Sequence, residues 1–329
     1  MKNLETNYMG LKLKSPVVAA SSGLTNSLEN IIEIERYGAG AVVLKSLFEE
    51  EIQIEINKSV LDMSRPGTLY PEIFDFFDYA TVDDTVSKYL YLIKKAKENV
   101  SIPIIASVNC VTSDEWPYFA KRFQEVGADA LELNVFVMPS DLSRTGEENE
   151  KVYFDIVEKV KKEVSIPIAL KISYYFSNLA SMIKKLSETG VSALVLFNRF
   201  FSPDIDLETY KIIPSSLYTT PNDLPISLRW IALMSGRVSC DLAASTGIHD
   251  GKALIKQLLA GAKVCQVAST LYKNGIHRIQ SMLDELDGWM DMNEFNSIDE
   301  FRGKCSQANI SNPALYERSQ FMRHFSQKF

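Results

Sequence analysis

Hydrophobic positions along the chain fall into short, nearly continuous apolar runs separated by longer stretches of helical period. Four of the runs share one form: Gly38-Ala39-Gly40-Ala41-Val42-Val43-Leu44, Gly127-Ala128-Asp129-Ala130-Leu131-Glu132-Leu133, Gly190-Val191-Ser192-Ala193-Leu194-Val195-Leu196 and Gly261-Ala262-Lys263-Val264-Cys265-Gln266-Val267. Each opens on a glycine after a helical pattern, where a helix C-terminus favours a residue that tolerates positive φ. Each then reads as a strand buried on both faces. A second echo is literal: Val100-Ser101-Ile102-Pro103-Ile104 recurs as Val164-Ser165-Ile166-Pro167-Ile168. The proline sits near the start of a strand, where its missing N–H is tolerated.

The pattern predicts eight strands, at 17–20, 41–45, 102–108, 130–134, 168–172, 193–197, 239–244 and 263–267. Helices are predicted at 26–37, 83–99, 113–126, 149–163, 177–188 and 250–259, with Ser113 and Asp250 as N-caps, and one long helix at 271–292. Alternation of strand and helix implies βαβ units and a parallel sheet. Eight units imply an α/β (β/α)₈ TIM barrel, which needs about 250 residues. The chain has 329. The surplus is expected in insertions after strands 2 and 6 and in a C-terminal helical extension. The first insertion contains Ile52-Gln53-Ile54-Glu55-Ile56, whose alternation reads as an extra strand. The expected organisation is a barrel over 1–292 and an extension of the same domain over 293–329. An open doubly wound sheet is the alternative, but no GxGxxG turn supports it.

Composition narrows the function. The net charge is −7 and no long basic block occurs, so nucleic acid is not an expected partner. No apolar run approaches the roughly 18 residues of a membrane span, and no signal-peptide pattern opens the chain. Cys110, Cys240, Cys265 and Cys305 are scattered, which suits a reduced, cytoplasmic protein. His249, His277 and His324 show no metal spacing, so no metal is expected.

Chemistry in a barrel collects where the strands end. Here those ends carry Ser21-Ser22, Lys45-Ser46, Ser107 and Asn109, Asn134, Lys171, Asn198, Ser245-Thr246-Gly247 and Ser269-Thr270. Polar strand exits are common in any protein. Lys45 and Lys171 are less ordinary, because each places an ammonium at the end of a buried strand, where it needs a partner or a ligand. The small residues after strands seven and eight suit a phosphate, since backbone N–H groups can approach it closely.

These residues resemble the class 1 dihydroorotate dehydrogenases and the related flavin domain of dihydropyrimidine dehydrogenases. The resemblance covers most of residues 5–290. It is carried by Ser15-Pro16 to Gly23, Val43-Leu44-Lys45-Ser46, the Gly127 to Asn134 run, Ala169-Leu170-Lys171, and Thr246-Gly247-Ile248 with Gly261-Ala262. It implies an FMN-binding barrel that moves a hydride between a small pyrimidine-like or unsaturated substrate and flavin N5. By the same resemblance Ser22, Gly23, Lys45, Ser46, Asn109, Asn134, Lys171 and Asn198 would surround the flavin ring, and Thr246, Gly247, Ala268 and Ser269 would hold its phosphate. Lys45, Asn134 and Lys171 would serve catalysis. A homodimer and an unidentified electron partner are also implied.

The chain departs from the family's pattern at the substrate. The family's loop reads Asn-Leu-Ser-Cys-Pro-Asn, and its cysteine is the base. Here the loop reads Asn134-Val135-Phe136-Val137-Met138-Pro139, and Val137 takes the base position. Ser140 and Ser143 are weak substitutes. Met63-Ser64-Arg65-Pro66-Gly67-Thr68-Leu69 stands where a substrate-binding segment is usual, and Arg199 stands where a small Ser or Thr is usual. The expectation is an oxidoreductase diverged from dihydroorotate. A flavin-binding subunit without catalysis and a non-flavin phosphosugar-binding barrel remain as alternatives.

Overall fold

A computed structural model describes residues 2–48, 74–109, 115–200 and 202–318. A small hairpin, β1 (Thr6–Tyr8) and β2 (Leu11–Leu13), leads into β3 (Val17–Ala19). There follow α1 (Leu28–Arg36), β4 (Ala41–Val43), a short β5 (Leu47–Phe48), α2 (Phe74–Asn99), β6 (Ile104–Asn109), α3 (Glu115–Glu125), β7 (Ala130–Asn134), α4 (Gly146–Glu163), β8 (Ile168–Ile172), α5 (Leu179–Ser187) and β9 (Ala193–Leu196). A second hairpin, β10 (Pro203–Ile205) and β11 (Ile212–Pro214), precedes α6 (Leu224–Met234), β12 (Asp241–Ser245), α7 (Gly251–Ala260), β13 (Val264–Val267), α8 (Ser269–Asn274) and α9 (Arg278–Met292).

Eight parallel strands form a closed ring. The order is β3-β4-β6-β7-β8-β9-β12-β13, and β13 returns to β3 through Cys265 opposite Val17. This is the predicted (β/α)₈ barrel. Gly38, Gly127, Gly190 and Gly261 all have φ between 86° and 118°, as the repeated motif requires after a helix end. Asp250 caps α7 by accepting from the Ala253 amide at 2.7 Å, a contact worth about 1 kcal/mol.

Two cores result from the two strand faces. The outer faces pack against the helix layer, with Leu131, Leu170, Leu194 and Leu196 fully buried. The inner faces are small: Ala41, Ala130, Ala169, Ala193 and Ala243 line the barrel with Val18, Val43, Ile105, Val195 and Val264. That leaves room at the floor, and the β1–β2 hairpin fills it from below with Tyr8, Met9 and Leu13.

Several boundaries differ from the sequence reading. The helix expected over 271–292 is two helices, because Gly275 turns to φ +84° between them. Helix α4 starts at Gly146 rather than 149, since Thr145 and Glu148 form a reciprocal capping box. Strand β12 starts at Asp241, because Ser239 instead donates its hydroxyl to the Ser187 carbonyl at 2.7 Å. The stretch read as a second insertion includes α6, an ordinary helix of the ring, so the inserted part is the β10–β11 hairpin and its flanks. Beyond α9, residues 294–318 make only short helical turns and return over α6 and α7, where Gly303 and Gln307 donate to Leu258 and Ala232 carbonyls. The Ile52–Ile56 alternation, the 63–69 segment, Cys110, the Ser113 cap and His324 lie outside the described residues. No helix among the described residues is long and apolar enough to cross a membrane.

Candidate active site

On each of five strands the inward apolar residue is followed two positions later by an inward polar one. Ile105 is followed by Ser107, Ala130 by Glu132 and then Asn134, Ala169 by Lys171, Ala243 by Ser245, and Val264 by Gln266. The period of two stacks these side chains into one buried polar layer on the small apolar floor. Its centre is an ion pair. Lys171 Nζ donates to Glu132 Oε1 at 3.3 Å and to Gln266 Oε1 at 2.9 Å, and Gln266 Nε2 donates to Glu132 Oε2. Glu132 is 0% and Lys171 5% exposed. A charge this deep is tolerable only when paired and hydrogen-bonded. The two bonds use two of the three ammonium protons.

A second chain of contacts ties the neighbouring strands. Ser46 Oγ lies 2.8 Å from Ser107 Oγ and 3.0 Å from Ser21 Oγ, and Asn134 Nδ2 donates to it at 2.9 Å. Tyr89 closes the far end by accepting from the Ser107 amide at 2.9 Å. Asn134 Oδ1 is buried and has no hydrogen-bond partner among the described residues. An orphaned buried acceptor is costly without a ligand.

Above this layer opens a cavity of about 250 Å³ between the ends of β3, β8, β9, β12 and β13. Lys171 and Gln266 lie at its base, and Ser22, Asn198, Thr246, Gly247, Ala268 and Ser269 line it. Thr246 and Gly247 both have φ +73°. Thr246 therefore sits in a backbone region that costs a β-branched residue about 1–2 kcal/mol. Strain held at one end of a cavity is characteristic of ligand cradles.

The segment after the β10–β11 hairpin roofs the cradle. The Thr219 amide donates to Ser269 Oγ at 3.0 Å, Lys273 Nζ donates to the Thr219 carbonyl at 2.8 Å, and Thr219 Oγ1 pairs with His249 Nε2 at 2.9 Å. Burial, and then the Lys273 charge, hold His249 below its ordinary pKa of 6.5; Asp223 and Asp250 oppose them. The unfolded chain takes up this proton more readily than the folded one. The contribution is therefore whole above pH 6.5 and declines as pH falls below it. The expected result is that wild type loses more stability on acidification below 6.5 than His249→Gln, which keeps a hydrogen-bonding group but does not titrate. Urea midpoints against pH would show parallel curves if this is wrong.

The structure thus brings Ser22, Lys171, Asn198, Thr246, Gly247, Ala268 and Ser269 around one cavity. Ser46 and Asn134 join them from below through Ser21. Gly23 packs on Tyr272, whose hydroxyl would be 2.7 Å from an added Cβ. Lys45 and Asn109 stand on the opposite arc of the rim. Lys45 Nζ lies 5.8 Å from the Phe48 ring centre, and Asn109 pairs with Phe48. Val137 is half-buried against the outer core, and its amide donates to the Tyr153 hydroxyl at 3.2 Å. Ser140 and Ser143 are exposed, and Ser143 bonds Asp141 rather than reaching the cavity. Sequence reading missed Glu132 and Gln266 as parts of the site and read Ser21 only as a polar strand exit. The alternation Ala130-Leu131-Glu132-Leu133-Asn134 held the signal for Glu132, since 130, 132 and 134 share one face.

A closed parallel barrel with a buried lysine beneath a small-residue cradle defines a (β/α)₈-barrel enzyme. Residues 81–290 match the family model described as dihydroorotate dehydrogenase. The chain belongs to the dihydroorotate dehydrogenase family, and so to the oxidoreductases acting on CH–CH bonds. Among its relatives is the "Dihydroorotate dehydrogenase B (NAD(+)), catalytic subunit" of Thermoplasma volcanium, 27% identical over 92% of this chain and 98% of that protein. Proteins of the same name from Methanothermobacter thermautotrophicus and Pyrococcus abyssi are 25% and 24% identical, each over 91% of this chain and over 97% and 98% of their own.

Proposed function

We propose that this chain binds FMN across the barrel rim, its phosphate end in the 250 Å³ cavity, and exchanges a hydride with a small unsaturated substrate that is not dihydroorotate. The observation that carries this reading is Lys171, locked by Glu132 and Gln266 with its remaining proton free for the cavity, beneath the Thr246–Gly247 and Ala268–Ser269 cradle. The residues fit the group: the cradle backbone suits a phosphate, and the orphaned Asn134 Oδ1 suits a ring N–H. Bound flavin would supply a two-electron acceptor and donor at N5. Lys171 would hold positive charge against the ring's pyrimidine edge, and Glu132 and Gln266 would fix its direction. Ser22, Lys45, Ser46, Asn109, Asn134 and Asn198 would orient ring and substrate.

Val137 has no atom that accepts a proton. A positioned base contributes about 10²–10⁴ in rate. With Ser140 and Ser143 outside the cavity, water would carry the proton to or from the substrate carbon in either direction. From the names of the relatives we also carry over a second subunit linked to NAD(+) as electron partner; a homodimer is carried over from the family resemblance. Exposed Ile205, Leu207, Tyr210 and Ile212 on the β10–β11 hairpin support a subunit contact there.

The test is spectroscopic. Protein reconstituted with FMN is expected to retain the visible band of oxidised flavin after desalting. Dihydroorotate is expected to bleach that band about 10²–10⁴ more slowly than in a family member that carries the loop cysteine. No retained band would overturn the cofactor; equal bleaching rates would overturn the divergence.

A further inference from the structure

A cavity of about 470 Å³ lies in the helix layer and has no residue in common with the cavity of the cradle. It opens between the loop after β7, the N-terminal half of α4 and the segment from Tyr174 to Ser177 that precedes α5. Gly146, Asn149, Glu150 and Tyr153 line it at helical spacing, which places them on one face of α4. Gly146 leaves that face open, since an added Cβ would meet nothing within 4 Å. The volume is ordinary for a small-molecule site, where roughly 300–1,000 Å³ is usual.

The opposite wall is aromatic. Tyr174 and Tyr175 tilt together at 4.9 Å, and Phe176 meets Tyr153 edge-on at 5.2 Å. Tyr153 is held in place by accepting from the Val137 amide at 3.2 Å. Tyr174 and Tyr175 stay 37% and 40% exposed, so apolar surface is left open to a ligand here. Glu150 is the single charged side chain among the described residues lining the cavity. It is half-buried, and no hydrogen bond or ion pair among the described residues engages it. The cations nearest to it in sequence are committed elsewhere: Arg144 donates to the Glu148 carbonyl at 3.2 Å, and Lys151 pairs with Asp155 at 2.5 Å. A carboxylate partly removed from water beside aromatic rings is complementary to an organic cation, which gains a counter-charge and cation–π contact together.

We infer that this cavity is a binding site for an organic cation with a flat apolar body: the body lies against Tyr174, Tyr175 and Phe176, and the ammonium is on Glu150. The carboxylate sets the class, because a neutral or anionic ligand would cover Glu150 without pairing it. The inference goes beyond the flavin reading and does not rest on it.

Tryptamine and tryptophol are the probes, a cation and a neutral alcohol of one shape. They would be titrated calorimetrically into wild type, Glu150→Gln, Glu150→Asp and Gly146→Leu, each with and without FMN. Wild type is expected to prefer tryptamine by about tenfold or more, the scale of a hydrogen bond to a charged group. Glu150→Gln is expected to lose that preference while binding tryptophol as wild type does, and Glu150→Asp to regain part of it. Gly146→Leu, which fills the open face, is expected to weaken both probes while its urea midpoint is no lower than that of wild type. Added FMN is expected to change neither affinity. No preference in wild type would overturn the inference, and so would a preference that survives in Glu150→Gln. Unchanged binding in Gly146→Leu, or displacement of tryptamine by FMN, would place the cation at another site and overturn it as well. A tryptamine preference in protein that retains no FMN would uphold this inference and reject the flavin.

Discussion

Glu132→Ala is expected to destabilise the protein by about 3–5 kcal/mol, because it leaves Lys171 buried without its counter-charge. Lys171 is 5% exposed, so water reaching it from the cavity replaces the lost carboxylate only in small part. Gln266 would keep one contact, but a neutral amide oxygen does not balance an ammonium. The pair itself is a weak contributor to stability, since desolvating both charges costs nearly as much as their attraction returns. The double variant Glu132→Leu/Lys171→Met is therefore expected to regain most of the loss. Urea unfolding of the three proteins would distinguish these cases. A single variant within about 1 kcal/mol of wild type would show that the polar layer is wetter than its geometry implies. The regained double variant should still reduce bound flavin slowly. That separation of stability from turnover would mark the pair as a functional element.

Gly247→Ala has the other large expected effect. Gly247 has φ +73°, which costs an alanine about 1–2 kcal/mol. The larger problem is steric, because an added Cβ would lie 2.1 Å from the Leu224 amide nitrogen at the start of α6. Backbone on both sides must move, and the cradle moves with it. FMN retention is expected to fall about tenfold or more, the scale of the roughly 1–3 kcal/mol lost when a buried hydrogen bond to the cradle is left unmade. Gly236→Ala is the control. It has a similar φ of +79° but nothing within 4 Å of an added Cβ. It should show the conformational cost alone and keep its cofactor. Equal loss of FMN in both variants would assign the effect to the fold rather than the cradle.

The barrel was legible in the sequence because parallel strands buried on both faces read as unbroken apolar runs. The glycines before four of them marked helix ends with little ambiguity. Helix α6 was hidden by its surroundings. It begins Leu224-Pro225 inside a stretch already read as inserted, and Pro225 in its first turn looks like a break while being compatible with a helix start. Gly275 lay within an otherwise continuous helical period, and its left-handed backbone is visible only in three dimensions. At the site, strand exits revealed Lys171, Asn198 and the cradle. Glu132 and Gln266 lie inside runs dominated by Leu and Val, and they are 39 and 95 residues away in sequence from their partner Lys171. The 63–69 segment offers no comparison, being outside the described residues.

The hairpin that inserts Tyr8 into the barrel makes it a cup rather than a pipe. Every molecule that reaches Lys171 must enter by the rim and leave by the rim. The order of departure then follows from depth. A ring seated on the polar layer, as the proposed FMN would be, is trapped while anything occupies the space above it, so on that proposal substrate should slow the escape of FMN without touching its phosphate.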